Sequence, residues 1–543
     1  MDLQTLLFEQ AQRLEAEGNA AQAAQFYQRI LEDKPDHADA NAALGRLLCR
    51  QGMAAQGIGF LSRASSLTPD APGVWLDLGL ALQKEGYQDH ARRALLSAAS
   101  LAPDDPSLIS ALADGLRELS LPGDAARQYE KLAELVPGLA AAHNNLGTCL
   151  LELKRRDEAL AAFRRAVIAD PQMIEALSNL AMLCVETGRN EESISLYSRL
   201  RALRPDLVQA ALNQGVAYYR EGRLEEAAAT LREAAALAPD NAQIHYNLAQ
   251  VLLLKGNLDA GFAEYEWRWS CSEFPSPRLL FSQPAWKGEP LEGRTLLIHA
   301  EQGFGDVLQF CRLLPLAGRG GKVIFLCPAP LLELLGGMDG VDIVAEGADL
   351  PAFDLYCPLL SLPHLLGPHV HPEPPYLKAP HKRLFQPDAR LHVGLVWTGN
   401  PLNGRNHVRR VPLEQMARLP ALPDIAYHSL QYRPEEGWRE AFPFAVDDLS
   451  SAISTFGDLA AAMEQLDLII SMCSAPVHLA GALNRPCWVL LHQLPDWRWG
   501  MSGRENPWYP NTRLYRQPSA GNWQAVIDAV SGDLADLAAK KKP

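Results

Sequence analysis

The sequence predicts a two-part chain, α+α/β and multidomain: an all-α superhelix of stacked helix pairs, followed by a pair of α/β lobes. Two observations predict it. Prolines recur every 34 residues at 35, 69, 103, 137, 171, 205 and 239. From Thr295 onward, short apolar runs alternate with helical stretches instead, the pattern of parallel strands covered on both faces. At 543 residues the chain is too long for one core, so two or three domains are expected.

The same period orders the first half. Gly18, Gly52, Gly86, Gly188, Gly222 and Gly256 fall at the turn inside each helix pair, with Ser120 and Lys154 at the two remaining points. Small residues (Ala11, Gly45, Gly79, Ala113, Gly147, Ala181, Gly215, Ala249) fall where paired helices touch. This pattern resembles the tetratricopeptide family over about eight repeats, residues 1–264. Each pair covers the apolar stripe of the next, and the stack winds into a superhelix with an inner groove. A further column of amides, Asn145, Asn179, Asn213 and Asn247, holds the same spacing, with Asp77 in register. An amide offers both donor and acceptor to an extended peptide backbone. The column is similar to that of the O-linked N-acetylglucosamine transferase family, which implies a groove for a protein acceptor; packing inherited with the repeat is the other reading.

Residues 265–290 form the junction. Glu264 to Trp269, EYEWRW, precedes prolines at 275, 277, 284 and 290 that rule out a continuing helix. The aromatics are expected to cap the open end of the repeats and pin it against the next domain, with ligand contact as the alternative.

In the second half, strands are expected at Thr295–His299, Lys322–Cys327, Val341–Val344, Val393–Trp397, Ala426–Leu430, Asp467–Met472 and Cys487–Leu491. A closing helix is expected at 522–539. Lobes at 291–378 and 391–543 flank a proline- and charge-bearing connection, and the strand ends of two such lobes share a cleft. The first strand runs into Gly303, Phe304, Gly305 and Asp306 before a helical pattern. Gly303 and Gly305 allow close backbone approach to a ligand, and the new helix aims its free N–H groups there. Asp306 is either a helix cap or an active-site carboxylate.

Five segments now add up: EQGFGDVLQFCRLLP, VGLVWTGNP, Ser429-Leu430-Gln431, DLIISMCSAPVHLAGALNRPCWVLL and DWRW at 496–499. Together they resemble bacterial tetratricopeptide-linked glycosyltransferases whose catalytic part is similar to the heptosyltransferase family. That resemblance implies a GT-B fold of two Rossmann-like lobes, metal-independent transfer and no cofactor beyond a CMP-, UDP-, GDP- or ADP-linked nucleotide-sugar. It places the general base on Asp306 and donor contacts on Arg409, Arg410, Gln431, Cys473, Ser474 and His478. His478 would reach the phosphate, protonate the leaving group, or simply pack. Arg409 and Arg410 would neutralise phosphate or form a solvated loop. Relatives usually carry aspartate at Cys473 and often lysine at Tyr432, so the donor differs or the pocket has decayed. Some proteins of similar layout glycosylate flagellin. The implied function is transfer of a sugar to Ser or Thr of a protein; a non-catalytic adaptor and a lipid- or polysaccharide-directed transferase are the alternatives.

Bulk properties fit. The net charge is −14, split −10 over residues 1–270 and −4 over 271–543, which excludes a general nucleic-acid binder. Nine cysteines with no C-x-x-C pair suggest reduced thiols. The acid-bearing N-terminus is not a signal peptide, and no apolar run reaches membrane-spanning length, so a cytoplasmic protein is expected. Histidines 364, 369, 371 and 381 read as linker residues, and no D-x-D pair marks a metal site.

Overall fold

The computed structural model describes residues 3–101, 104–272, 274–370, 372–401 and 406–541. Pro103 of the proline column and His371 lie outside them. The chain forms two compact units, Met1–Gln214 and Gly215–Pro543.

The first unit is wholly helical among its described residues. Antiparallel pairs run from Leu3–Ala16 with Ala20–Asp33 to Ile174–Glu186 with Asn190–Leu203. The turn column is left-handed throughout this unit: Gly18, Gly52, Gly86 and Gly188 have φ of 74–82°, while Ser120 and Lys154 adopt 56° and 61°. The small-residue column works by contact. A Cβ on Gly79 would stand 2.5 Å from the Leu95 side chain, and one on Gly147 would stand 2.6 Å from the Phe163 ring. Where the column holds Ala11, Ala113 and Ala181, the facing residue is a buried tyrosine, Tyr27, Tyr129 or Tyr197.

The second unit contains the helices Leu224–Leu237, Ala242–Leu254 and Leu258–Tyr265, a 3-10 turn at Glu266–Ser270, and two parallel sheets. The first sheet holds β1 (Thr295–His299), β2 (Lys322–Cys327), β3 (Val341–Ala345) and β4 (Leu355–Pro358) in the order β3-β2-β1-β4. The second holds β5 (Leu391–Val396), β6 (Ile425–Ser429), β7 (Val446–Asp448), β8 (Leu468–Met472), β9 (Cys487–Leu491) and β10 (Thr512–Arg516) in the order β10-β9-β8-β5-β6-β7. Every pairing is parallel. The sequence reading missed β4, β7 and β10, all edge strands, and set β5 and β6 one or two residues late.

Numbered within its lobe, the second sheet has the doubly wound order 3-2-1-4-5-6, whose direction reverses between β5 and β8. In the first sheet the reversal lies between β1 and β4. Ligands of open parallel sheets bind beyond the carboxyl ends of the strands at such a point. The closing helix, Trp523–Lys541, buries Trp523, Ile527 and Leu534 against the second sheet. The connection between the lobes is held from both sides. Lys382 meets Glu333 of the first lobe at 2.6 Å and Asp458 of the second at 2.8 Å.

Candidate functional site

The loop after β1 is fixed residue by residue. Glu301 is buried and accepts from Arg268 Nε and Nη2 at 2.9 and 2.8 Å, and from the Leu360 N–H at 3.0 Å. Gln302 sits at φ 61°. Its N–H donates to Ser276 Oγ at 2.7 Å and its amide to the Tyr265 hydroxyl at 2.6 Å. Asp306 lies in the first turn of the helix Phe304–Phe310, where Oδ2 accepts the Gly303 N–H at 2.9 Å. It braces its own helix start from the third helical position, with Gly303 rather than Asp306 as the N-cap, while the other oxygen, Oδ1, accepts from Arg498 of the second lobe.

Gly303 is extended, with φ −100°. Gly305 is where the two lobes touch: a Cβ there would lie 2.9 Å from His478 Cδ2 and 3.6 Å from Ala475 Cα. The glycine makes room for the other lobe rather than for a ligand.

On the second lobe, the strand β8 ends at Met472, Cys473 and Ser474 turn the chain, and the helix Ala475–Ala482 follows. The Ser474 hydroxyl turns back to the Met472 carbonyl at 3.2 Å, so no side chain caps the first N–H groups of that helix. Cys473 is buried, and Trp499 Nε1 donates to its sulfur at 3.0 Å. Burial pushes the thiol up to about 11, so it is neutral and supplies no charge. His478 is buried, with Nδ1 3.0 Å from the Tyr509 hydroxyl and its ring stacked on Trp499. Burial holds this imidazole down to about 3. At neutral pH that burial favours the uncharged imidazole, held in place by Tyr509 and Trp499.

Gln431 is also buried. Its Oε1 accepts the Trp397 and Thr398 N–H groups at 3.2 and 3.0 Å, so it braces the loop after β5 instead of facing solvent. Arg409 ends the short helix Asn406–Arg409. Its buried Nε has no hydrogen-bond partner, and its charge acts on Cys473. Arg410 is exposed beside it, as is Tyr432.

The sequence reading did not single out the arginines of two short motifs. EWRW at 266–269 and DWRW at 496–499 both fold as 3-10 turns with a buried arginine. In each, Nη1 bonds the acid two residues earlier, Glu266 at 2.7 Å and Asp496 at 2.9 Å. The rest of each guanidinium grips one carboxylate of the 301–306 loop, Arg268 on Glu301 and Arg498 on Asp306. Each also lies over rings, Arg268 over Tyr265 and Trp269, Arg498 over Trp497 and Phe310. The recurrence of acid-Trp-Arg-Trp was the available signal. Arg498 further bonds Gln309 Oε1. Burial pushes the Asp306 carboxyl up, with Arg498 and the Gly303 N–H pulling against it. Burial also acts to raise Asp496, but Arg498 outweighs it and holds that carboxyl down.

The repeat asparagines are partly buried and already bonded. Asn145 and Asn213 donate to the hydroxyls of Tyr129 and Tyr197 at 3.4 and 3.1 Å. Asn179 donates to Asn144 Oδ1 at 2.9 Å, and Asn247 accepts from Gln243 at 3.4 Å. Tyr265 follows Tyr197 by two repeats, and its hydroxyl receives Gln302 instead of an asparagine. Phe262 of the last helix pair meets Trp497 edge-on at 5.5 Å. Among the described residues, no helix is long and apolar enough to cross a membrane.

Comparison with known proteins respects this division. Models of the TPR repeat and the tetratricopeptide repeat match residues 14–75, 110–174, 154–215 and 215–256. Protein FlbA of Caulobacter vibrioides is 26% identical over 345 residues, 54% of this chain and 54% of its own; the chain thus spans about half the length of that relative. Among solved structures, MamA is 22% identical over 32% of this chain and 94% of its own, with a TM-score of 0.29. YrrB, described as a TPR protein with an unusual peptide-binding site, is 20% identical over 34% of this chain and 96% of its own, with a TM-score of 0.32. The Naa15/Naa10 complex bound to HypK-THB gives 16% over 50% of this chain and 43% of its own, with a TM-score of 0.38. The N-terminal region is a run of tetratricopeptide repeats, followed by a C-terminal α/β region.

Proposed function

We propose that the chain is a cytoplasmic protein glycosyltransferase whose α/β lobes form a GT-B pair. It moves a sugar from a nucleotide-sugar to a Ser or Thr hydroxyl of a protein held by the repeats, with flagellin as the first acceptor to try. Asp306 takes the hydroxyl proton as the oxygen attacks the anomeric carbon. The departing phosphate is met by the Ala475 N–H at the start of the helix Ala475–Ala482, where Pro476 has no N–H and Val477 donates to the Ser474 carbonyl, and by Arg409. The observation that carries this reading is the meeting of the two reversal points. The helix that carries Asp306 beyond β1 stands against the helix that follows β8, with Gly305 on His478.

The test is incubation with a panel of CMP-, UDP-, GDP- and ADP-sugars and flagellin, with the acceptor then weighed by mass spectrometry. A gain of one sugar mass, lost in Asp306→Asn, is expected; no gain with any donor refutes the reading. A second reading, an adaptor with a decayed pocket, is favoured by the neutral Cys473 thiol, which Trp499 occupies. Nucleotide-sugar binding without transfer, or neither, would select it.

A further inference from the structure

The Asp306 carboxylate is held from outside its own lobe. Gly303 N–H, on the same loop, takes Oδ2, while Arg498, from the segment after β9, takes Oδ1. Arg498 cannot adjust freely to do so. It is buried, its Nη1 is tied to Asp496 at 2.9 Å, its Nε to Gln309, and its face to Trp497 at 4.4 Å. A planar fork with several fixed acceptors sets both the position and the rotation of the carboxylate it meets, which a lysine ammonium cannot do. Two of its partners, Asp306 and Gln309, belong to the first lobe, and Asp496 belongs to the second. The fork therefore closes only when the lobes are seated on one another.

We propose that Arg498 is the positioning residue for Asp306: it keeps the carboxylate ionised and aimed, and it ties that state to the seating of the two lobes. A lone carboxyl in this surrounding, its side chain 18% exposed, would be driven toward its neutral form by the partial loss of water. The other charged or titratable groups whose fields reach Asp306 are Asp496, Glu301, Tyr246 and Tyr265. Both acids favour its protonated form, and Glu301 is already committed to Arg268. Arg498 is the cation in direct contact with it. A base that is ionised only when the lobes are closed would not act on water or a wrong hydroxyl in the open form. The purpose assigned to Arg498 rests on the transferase reading; the labelling measurement does not.

The test is carbodiimide labelling, which activates protonated carboxyls, with glycinamide as the trapping amine and peptide mass mapping of Asp306 across pH 5–8. An arginine beside an aspartate lowers its pKa by about 1–3. Arg498→Gln should therefore raise the labelling of Asp306 at fixed pH by about tenfold or more, and Arg498→Lys, which keeps the charge, should stay near wild type. In the transfer assay both variants should lose kcat while KM for the donor changes less. Because Arg498→Gln leaves two partly buried carboxylates without their cation, Asp496→Asn/Arg498→Gln carries the same readout should the single variant not fold. An unchanged labelling profile in a folded variant overturns the proposal, as does full kcat in Arg498→Gln. If wild type transfers no sugar but labelling rises as expected, the glycosyltransferase reading fails and the Arg498–Asp306 assignment stands.

Discussion

Replacing Arg268 with methionine should be among the most costly single changes in the second unit. The arginine side chain has no exposure and that of Glu301 has 1%. Removing the guanidinium takes away two direct bonds to Glu301, one to Glu266 at 2.7 Å, one to Ser361 at 2.9 Å and one to the Tyr265 carbonyl at 3.2 Å. Glu301 then keeps the Leu360 N–H for its charge. Breaking a buried pair by removing one partner costs about 3–5 kcal/mol, against about 1 kcal/mol or less for an exposed pair. Chemical denaturation monitored by tryptophan fluorescence reads this unit well, because of the 11 tryptophans only Trp75 lies before Gly215. The expected loss is about 3 kcal/mol or more. Arg268→Met/Glu301→Gln, which removes the stranded charge, should recover at least about 1–2 kcal/mol. A loss below about 1 kcal/mol, or a double variant no more stable than the single, would refute the view that Glu301 is a committed buried anion.

Two further outcomes rest on the contact between the lobes. Gly305→Ala places a methyl 2.9 Å from His478, so the lobes should part slightly, with a loss of about 1–3 kcal/mol and of sugar transfer; wild-type stability in denaturation would show that the lobes do not touch there. His478 is held down to about 3 by burial, while its unfolded value lies near 6.5. As pH falls below 6.5 the unfolded chain takes up a proton that the folded state refuses, so stability is full above that pH and is lost toward pH 3. Between pH 6.5 and 5 this one group should cost about 1.5 kcal/mol, and His478→Gln should show that much less acid sensitivity in paired denaturation curves.

The repeat half was legible because each pair solves one packing problem in the same way. The positions that must be small or left-handed recur at 34 residues, and even Ser120 and Lys154 obey the turn at 56° and 61°. The central strands were legible because continuous burial of β1, β5 and β8 demands unbroken apolar runs. The edge strands were not. β7 is Val446-Asp447-Asp448, and β10 exposes Arg513 and Arg516 in part, so their burial pattern is too weak to separate from loop. Asp306 and the Ser474 helix could be found as strand-end features. The recurring acid-Trp-Arg-Trp marked the arginines but not what they hold, because Arg498 lies 192 residues from Asp306 and no local period links them.

The end of the repeats shows why the last helix pairs share a compact unit with the α/β lobes. A solenoid leaves an apolar face at its last repeat, which a polar cap must cover. Here Phe262 and Tyr265 of the last pair are buried, and the cover is the site itself: Trp497 against Phe262, and Gln302 on the Tyr265 hydroxyl. Arg268, three residues past that tyrosine, takes Glu301 at one end of the loop, and Arg498 takes Asp306 at the other. The 301–306 loop is thus clamped at both ends by buried guanidiniums, one carried by the repeat end and one by the second lobe. Neither clamp can slip without exposing a buried charge, so a shift of the last helix pair or of the second lobe must move this loop or cost several kcal/mol. The loop carrying Asp306 is placed by both neighbours, and its geometry is a property of the whole unit rather than of the first lobe.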